Sequence, residues 1–142
     1  MTDFIATRAH GLARCRAFAP AMGSRYAGGR NYDHGPGRHT AVSTLSPWIR
    51  RRLVTEAEVI ATAIAAHGPG RAGKFIEEVF WRSYFKGWLE RRPRVWDDYR
   101  DGLREDLASL DRIRRLREDL ARAEAGDTGL ACFDAWVREL LD

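Results

Sequence analysis

Lysine and cysteine are scarce in this chain of 142 residues: 22 of its 24 basic side chains are arginine, Lys74 and Lys86 being the exceptions, and Cys15 and Cys132 are its only cysteines. Two isolated cysteines cannot form the disulfide framework of a small secreted fold. Without a Cys-x-x-Cys pair or histidines at metal spacing they offer no zinc site either. His10, His34, His39 and His67 are scattered, and no metal is expected. The opening Met1-Thr2-Asp3-Phe4-Ile5 brings an acid early and no apolar run long enough for a signal peptide. No stretch approaches the length of a membrane-spanning helix. A reduced, cytoplasmic protein is the expectation. Strand-like alternation never persists beyond three or four residues, no internal repeat is visible, and the sequence therefore reads as all-α.

What is present is globular in composition, with 44% hydrophobic and 31% charged residues. At this length a single core is expected. Five Trp and six Phe are a heavy aromatic load, and rings of this size must be buried or must line a pocket. The formal charge is +4. The basic excess lies in the first two-thirds of the chain, because acids interleave with arginine after Trp96. An anionic partner is compatible with this, and so are solvated helix faces at Arg50-Arg51-Arg52 and at Arg112 to Arg117.

Leu12, Cys15, Phe18 and Met22 fall at helical spacing, so a leading helix is predicted over residues 1–24, with Pro20 ending or kinking it. Between Gly23 and Thr40 five glycines, a proline, an Asn and an Asp predict a long loop, which with the residues that follow runs over 25–46. Residues 47–142 read as a helical bundle. Ser46-Pro47 supplies an N-cap and an N1 proline, and Thr55 with Glu58 forms a Thr-x-x-Glu capping box ahead of a run ending at His67-Gly68-Pro69-Gly70. The helix over 71–90 carries aromatics on both faces, which predicts burial all round, with Glu78 and Arg82 four residues apart on one face. A short helix around 95–99, a charged amphipathic helix over about 103–125 and a last helix from Ala131 to Leu141 complete the chain.

Three segments, in order, resemble the FAD-binding helical domain of the DNA photolyase/cryptochrome family, over roughly Tyr26 to Leu140. Tyr26-Ala27-Gly28-Gly29-Arg30-Asn31 is similar to the family's Tyr-x-x-x-Arg-Asp/Asn stretch, and Val42-Ser43-Thr44-Leu45-Ser46-Pro47 to its T-S-x-L-S-P turn, with Val42 where members often have Thr. Independently of any family, a serine-rich turn feeding a proline-started helix offers hydroxyls and free amides to a phosphate. Glu78-Val79-Phe80-Trp81-Arg82-Ser83 resembles the E-L-x-W-R-E helix, with Ser83 replacing the second acid. Thr128-Gly129-Leu130-Ala131-Cys132-Phe133-Asp134-Ala135 resembles a Thr-Gly-aromatic-Pro segment leading into Asp-Ala, and here Asp134 and Arg138 read as structural.

The resemblance implies a partial FAD-binding domain over 1–142. Tyr26, Ser43, Thr44, Leu45, Ser46 and Arg82 would hold FAD, chiefly at its diphosphate. Arg30, Glu78 and Trp81 would face DNA containing pyrimidine dimers, with Trp81 stacking on the lesion and Glu78 hydrogen-bonding to it. The family's antenna domain and the segment that grips the flavin ring have no counterpart in these residues, so weak FAD binding or none is expected of the chain alone. The activity implied is light-driven dimer repair. A cryptochrome-like photoreceptor, or a flavin-free helical protein binding nucleic acid through its arginines, are the alternatives.

Overall fold

The computed structural model describes residues 4–35, 37–38 and 40–141. Met1, Thr2 and Asp3 of the opening stretch, Pro36 and His39 of the glycine-rich loop, and Asp142 lie outside the described residues. The elements are α1 (Arg8–Phe18), a 3-10 turn (Ala19–Ala21), α2 (Ser24–Gly29), α3 (Ser46–Arg50), α4 (Glu56–Glu90), α5 (Arg94–Asp111), α6 (Arg114–Glu124) and α7 (Ala131–Leu141). No strand occurs among the described residues, so the fold is all-α. The chain divides into two compact units, Met1–Gly87 and Trp88–Asp142, where its length suggested one.

In the first unit, local signals set the helix ends. Thr7 caps α1, its hydroxyl accepting from the His10 amide at 3.3 Å. The Thr55 hydroxyl accepts from the Glu58 amide at 3.3 Å while the Glu58 carboxylate accepts from the Thr55 amide at 2.9 Å, which is the reciprocal box read from the sequence. The same carboxylate pairs with Arg8, whose guanidinium also donates to the Leu53 carbonyl at 3.0 Å. One acid thus opens α4 and fastens it to the start of α1. Halfway along α4, Gly68 takes φ 73° and ψ 163°, a conformation that favours glycine, and Pro69 follows in the first turn of the next stretch. The helices predicted on either side of His67-Gly68-Pro69-Gly70 are therefore both present and share one element.

The core of this unit draws on both arms of α4. Val59 and Ala63 lie before the break, and Ala72, Phe75 and Val79 after it. They meet Cys15, Phe18 and Met22 at the end of α1, and Leu45, Trp48 and Val54 around α3. Burying side chains of the size of Val59, Leu45 and Met22 contributes about 1.5–3 kcal/mol each. The Trp48 indole nitrogen donates to the Ile5 carbonyl at 3.0 Å, so the ring is buried without an orphaned donor.

Two expectations change here. Residues 24–29, read as loop, form α2, so the irregular segment begins at Arg30. The stretch over 71–90 is not buried all round. Phe75 and Val79 point into the core, while Phe80, Trp81, Tyr84 and Phe85 are each about half exposed. Periodicity separates two apolar faces but does not say that both are covered.

In the second unit, α5 runs without interruption through the residues expected to separate two helices, and the break falls instead at Ile113, which is extended at φ −120° and ψ 104°. No apolar side chain of this unit is buried among the described residues. The buried group is Asp134, whose carboxylate accepts from the Thr128 amide (2.9 Å), the Thr128 hydroxyl (2.6 Å) and the Gly129 amide (3.0 Å). Those bonds hold its carboxyl below the usual range, the two from Thr128 foremost. Arg138 donates to the Gly126 carbonyl at 2.8 Å, so the two residues have the structural role expected of them.

Two outcomes test this account. A Cβ at residue 11 would stand 2.6 Å from Val54 Cγ2 and 2.7 Å from Trp48 Cδ1, so Gly11→Ala is expected to destabilise the first unit by about 1–3 kcal/mol in a denaturant titration. The Glu58 carboxyl is lowered from 4.5 to about 2, with the Arg8 hydrogen bond as the largest cause and the Thr55 bonds next. A depressed carboxylate stabilises fully above its unfolded value and loses that contribution as pH falls toward the folded one. The difference in melting temperature between the protein and Glu58→Gln is therefore constant above pH 4.5 and closes as pH falls toward about 2.

Candidate functional site

The first unit gathers most of the residues singled out in the sequence. Phe18, Tyr26 and Phe75 form an aromatic cluster: the Tyr26 ring stands edge-on to Phe75 at 5.0 Å and to Phe18 at 6.4 Å, and Phe18 lies 6.2 Å from Phe75. This contact sets α2 against the second arm of α4. One turn beyond Tyr26 is Arg30, and one turn beyond Phe75 is Glu78. Their side chains come within 3.6 Å, and Lys74 approaches the same carboxylate at 3.3 Å. The next turn of α4 exposes Trp81, stacked on Phe85 at 5.3 Å with Tyr84 edge-on at 5.4 Å. Residues 30, 78 and 81 therefore share one surface, although 48 positions separate the first two.

Burial raises the Tyr26 phenol above its ordinary value, and the nearby Glu78 carboxylate adds to the rise, while Arg30 and Lys74 oppose it. The hydroxyl stays protonated at neutral pH and is available as a donor. Glu78 and Arg82 do not face each other as a pair. Arg82 approaches Glu56 at the start of α4 at 3.9 Å, so the two charges serve different neighbours.

The serine-rich turn is built differently from its sequence reading. Leu45, not Ser46, is the residue before α3, and no side chain caps that helix. Ser46 is exposed in the first turn, and Leu45 is 1% exposed, so its side chain belongs to the core and only its backbone could meet a ligand. The Ser43 hydroxyl accepts from the Leu45 amide at 3.4 Å. Thr44 occupies the left-handed region at φ 54°, which for a residue with a branched Cβ costs roughly 1–2 kcal/mol. Arg14 of α1 holds it there. Its Nε donates to the Ser43 carbonyl at 2.8 Å and to the Thr44 hydroxyl at 3.0 Å. Sequence reading missed Arg14, because its partners lie some thirty residues away and nothing in the local pattern marks it.

Beside this turn a solvent-open cleft of about 230 Å³ lies between residues 30–34 and 40–42. Asp33 organises one wall, its carboxylate accepting from the Gly35 amide at 2.7 Å. A second open cleft, apolar, lies along Ile76, Phe80, Trp81 and Tyr84. Within the serine-rich turn the Thr44 hydroxyl donates to the Ser43 carbonyl at 2.7 Å and the Arg14 Nε–H is taken up by the turn itself. Neither cleft encloses a volume that would sequester a flavin ring. Among the described residues no group of three or more His, Cys, Asp or Glu could hold a metal ion, and no helix is long and apolar enough to cross a membrane.

No protein-family model, curated protein or solved structure matches this chain.

The Tyr26 environment can be tested by titration. Glu78→Gln is expected to lower the tyrosinate midpoint of Tyr26, leaving it still above that of free tyrosine, and Arg30→Ala to raise it further. Absorbance of the tyrosinate, assigned through Tyr26→Phe, reads both shifts; movement of the two variants in the same direction would contradict the arrangement.

Proposed function

We propose that the chain is a photolyase-related flavoprotein segment of the cytoplasm that binds the diphosphate side of FAD and presents a surface to DNA carrying pyrimidine dimers. The reading rests on the three-segment resemblance. The structural observation that carries it furthest is the juxtaposition of Arg30 with Glu78 beside exposed Trp81. These are the residues the resemblance assigns to the DNA side, and a substrate face requires them on one surface. Trp81 would stack on an extruded base, Glu78 would accept a hydrogen bond from its edge, and Arg30 would neutralise a backbone phosphate.

On the cofactor side, Ser43, Thr44 and Ser46 would offer hydroxyls and amides to the diphosphate, with Leu45 contributing its backbone. Arg14 adds a positive charge behind that turn. The strained Thr44 fits this role, since strain concentrates where a ligand is clamped. Tyr26 and Arg82 complete the set by resemblance, Tyr26 as a phenol held neutral. When bound, FAD would supply the light-driven electron transfer; the residues of this chain bind and orient, and none is assigned a proton or electron step.

A second reading has its own observation. The first unit carries 13 basic against 6 acidic residues, a net +7 beside four half-exposed aromatic rings, whereas the second unit has 11 against 14. Arginine interleaved with open rings suits flavin-independent binding of single-stranded nucleic acid.

Titration with FAD separates the two. The flavoprotein reading expects quenching of flavin fluorescence that saturates weakly, competes with ADP, and loses about tenfold in affinity in Arg14→Ala, the loss of one charge-assisted contact. It further expects tighter binding of a thymine-dimer oligonucleotide than of its undamaged counterpart, with the preference abolished in Trp81→Ala. If FAD in excess leaves no bound flavin and DNA binds in the dark without preference for damage, the second reading stands instead.

A further inference from the structure

The cleft between residues 30–34 and 40–42 belongs neither to the turn at 43–46 nor to the Trp81 surface, although Arg30 lines it. Its two walls meet at the end of α2. A Cβ on residue 29 would stand 2.8 Å from the Ala41 Cβ, so the walls close on a contact that only glycine allows, and Ala41 is buried there. The Tyr32 amide donates to the Gly29 carbonyl at 3.1 Å and seats the first wall on the helix end. At the rim the Asp33 carboxylate holds the amide of Gly35, which turns the chain at φ 86°. Close packing and backbone bonds therefore shape the cleft before anything enters it.

Its lining selects a flat, polar-edged ligand with a negative charge beside it. Tyr32 is 69% exposed, and its ring lies 28° from parallel with that of His34, the centroids 6.4 Å apart. Two rings stacked on each other and open to water form a platform for a third. Asn31 and Thr40 line the same cleft, and an amide and a hydroxyl each donate and accept. At about 230 Å³ the space falls below the roughly 300–1,000 Å³ of pockets that enclose a whole cofactor, so it takes one ring and its edge. Arg30 supplies the charge. It lines the cleft while its Nε stands 3.6 Å from Glu78, one turn before Trp81, so one guanidinium borders two sets of exposed rings. The surrounding unit, with 13 basic against 6 acidic residues, favours a polyanion.

We propose that this cleft is a base-binding site for single-stranded nucleic acid, in which Tyr32 and His34 stack on one base and Arg30 meets the backbone between that base and the one carried by Trp81. Asn31 and Thr40 meet the edge of the base. Because both can donate and accept, they suit any base, and the site is tolerant of sequence. The inference rests on the reading of Arg30, Glu78 and Trp81 as a nucleic-acid face, which it extends from one stacking platform to two. It requires neither flavin nor damage in the strand.

Fluorescence anisotropy of a labelled, undamaged oligothymidylate, titrated in the dark with the full chain, tests the site. Tyr32→Ala and His34→Ala are each expected to weaken binding at least about fivefold, the loss of stacking on one base, and Tyr32→Phe to restore most of it. Tyr32→Ala combined with Trp81→Ala is expected to lose the product of the two single losses, because the platforms carry different bases. Irradiation of an iodouracil-substituted strand is expected to cross-link Tyr32 in the parent chain, read as a mass-shifted peptide. Tyr32 lies outside the core, and circular dichroism of each variant reports whether its helices persist. Binding that falls in Trp81→Ala but not in Tyr32→Ala or His34→Ala would overturn this site and leave the Trp81 face standing. So would a cross-link confined to other residues, or thymidine monophosphate competing as well as the strand. A parent chain that binds no strand would overturn both.

Discussion

The edge-on contact between Tyr26 and Phe75 is the constraint on which the first unit's surface depends. Phe75 lies in the core, and Tyr26 packs against it from α2. Their packing fixes how α2 meets the second arm of α4, and that registration brings Arg30 to Glu78. The same contact leaves Tyr26 half-buried, which raises its phenol, and places Glu78 where it adds to the rise. Substituting a smaller side chain for Phe75 would therefore disturb more than core volume. The charge pair would lose the geometry that an aromatic contact gives it, because an exposed ion pair contributes too little to hold two helices in register.

The two units solve the problem of stability differently. The first buries a contiguous set of apolar side chains and uses polar bonds at its edges, with Arg8, Thr55 and Glu58 fastening helix starts. The second buries a carboxylate. Asp134 accepts three hydrogen bonds from the turn that precedes α7, and Arg138 takes the Gly126 carbonyl, so the turn is specified by polar geometry while the apolar stripes stay in water. Such a unit has well-defined local structure and little of the hydrophobic driving force that dominates folding elsewhere.

The features legible in the sequence were those whose partners lie within one or two turns. The Thr55–Glu58 box, the break at Gly68 and the roles of Asp134 and Arg138 all follow from residues a few positions apart. Helix α2 was missed because Gly28 and Gly29 lower helix propensity, while the contact of Tyr26 with the core overrides it. The exposure of Phe80, Trp81 and Tyr84 was not legible, since a sequence shows which residues share a face and not what covers that face. The support of the Ser43–Ser46 turn by Arg14 spans the loop and α2, and the separation of the chain into two units reflects where contacts stop. Of the candidate site, the residue identities rest on the family resemblance. Their arrangement came from packing across 48 positions.

One bond described by neither motif nor charge ties two helix ends together. The His67 Nε2–H donates to the Ala19 carbonyl at 2.8 Å, and the same carbonyl accepts from the Met22 amide at 3.2 Å. Helix ends ordinarily fray independently, each opening a few amides at little cost. Here the last residue before the Gly68 break supplies the side chain that completes the end of α1, so the first arm of α4 cannot unwind from its C-terminus without releasing that carbonyl. The corner between α1 and α2 and the middle of α4 are thereby linked, so that opening either end costs the other about one hydrogen bond, on the order of 1 kcal/mol.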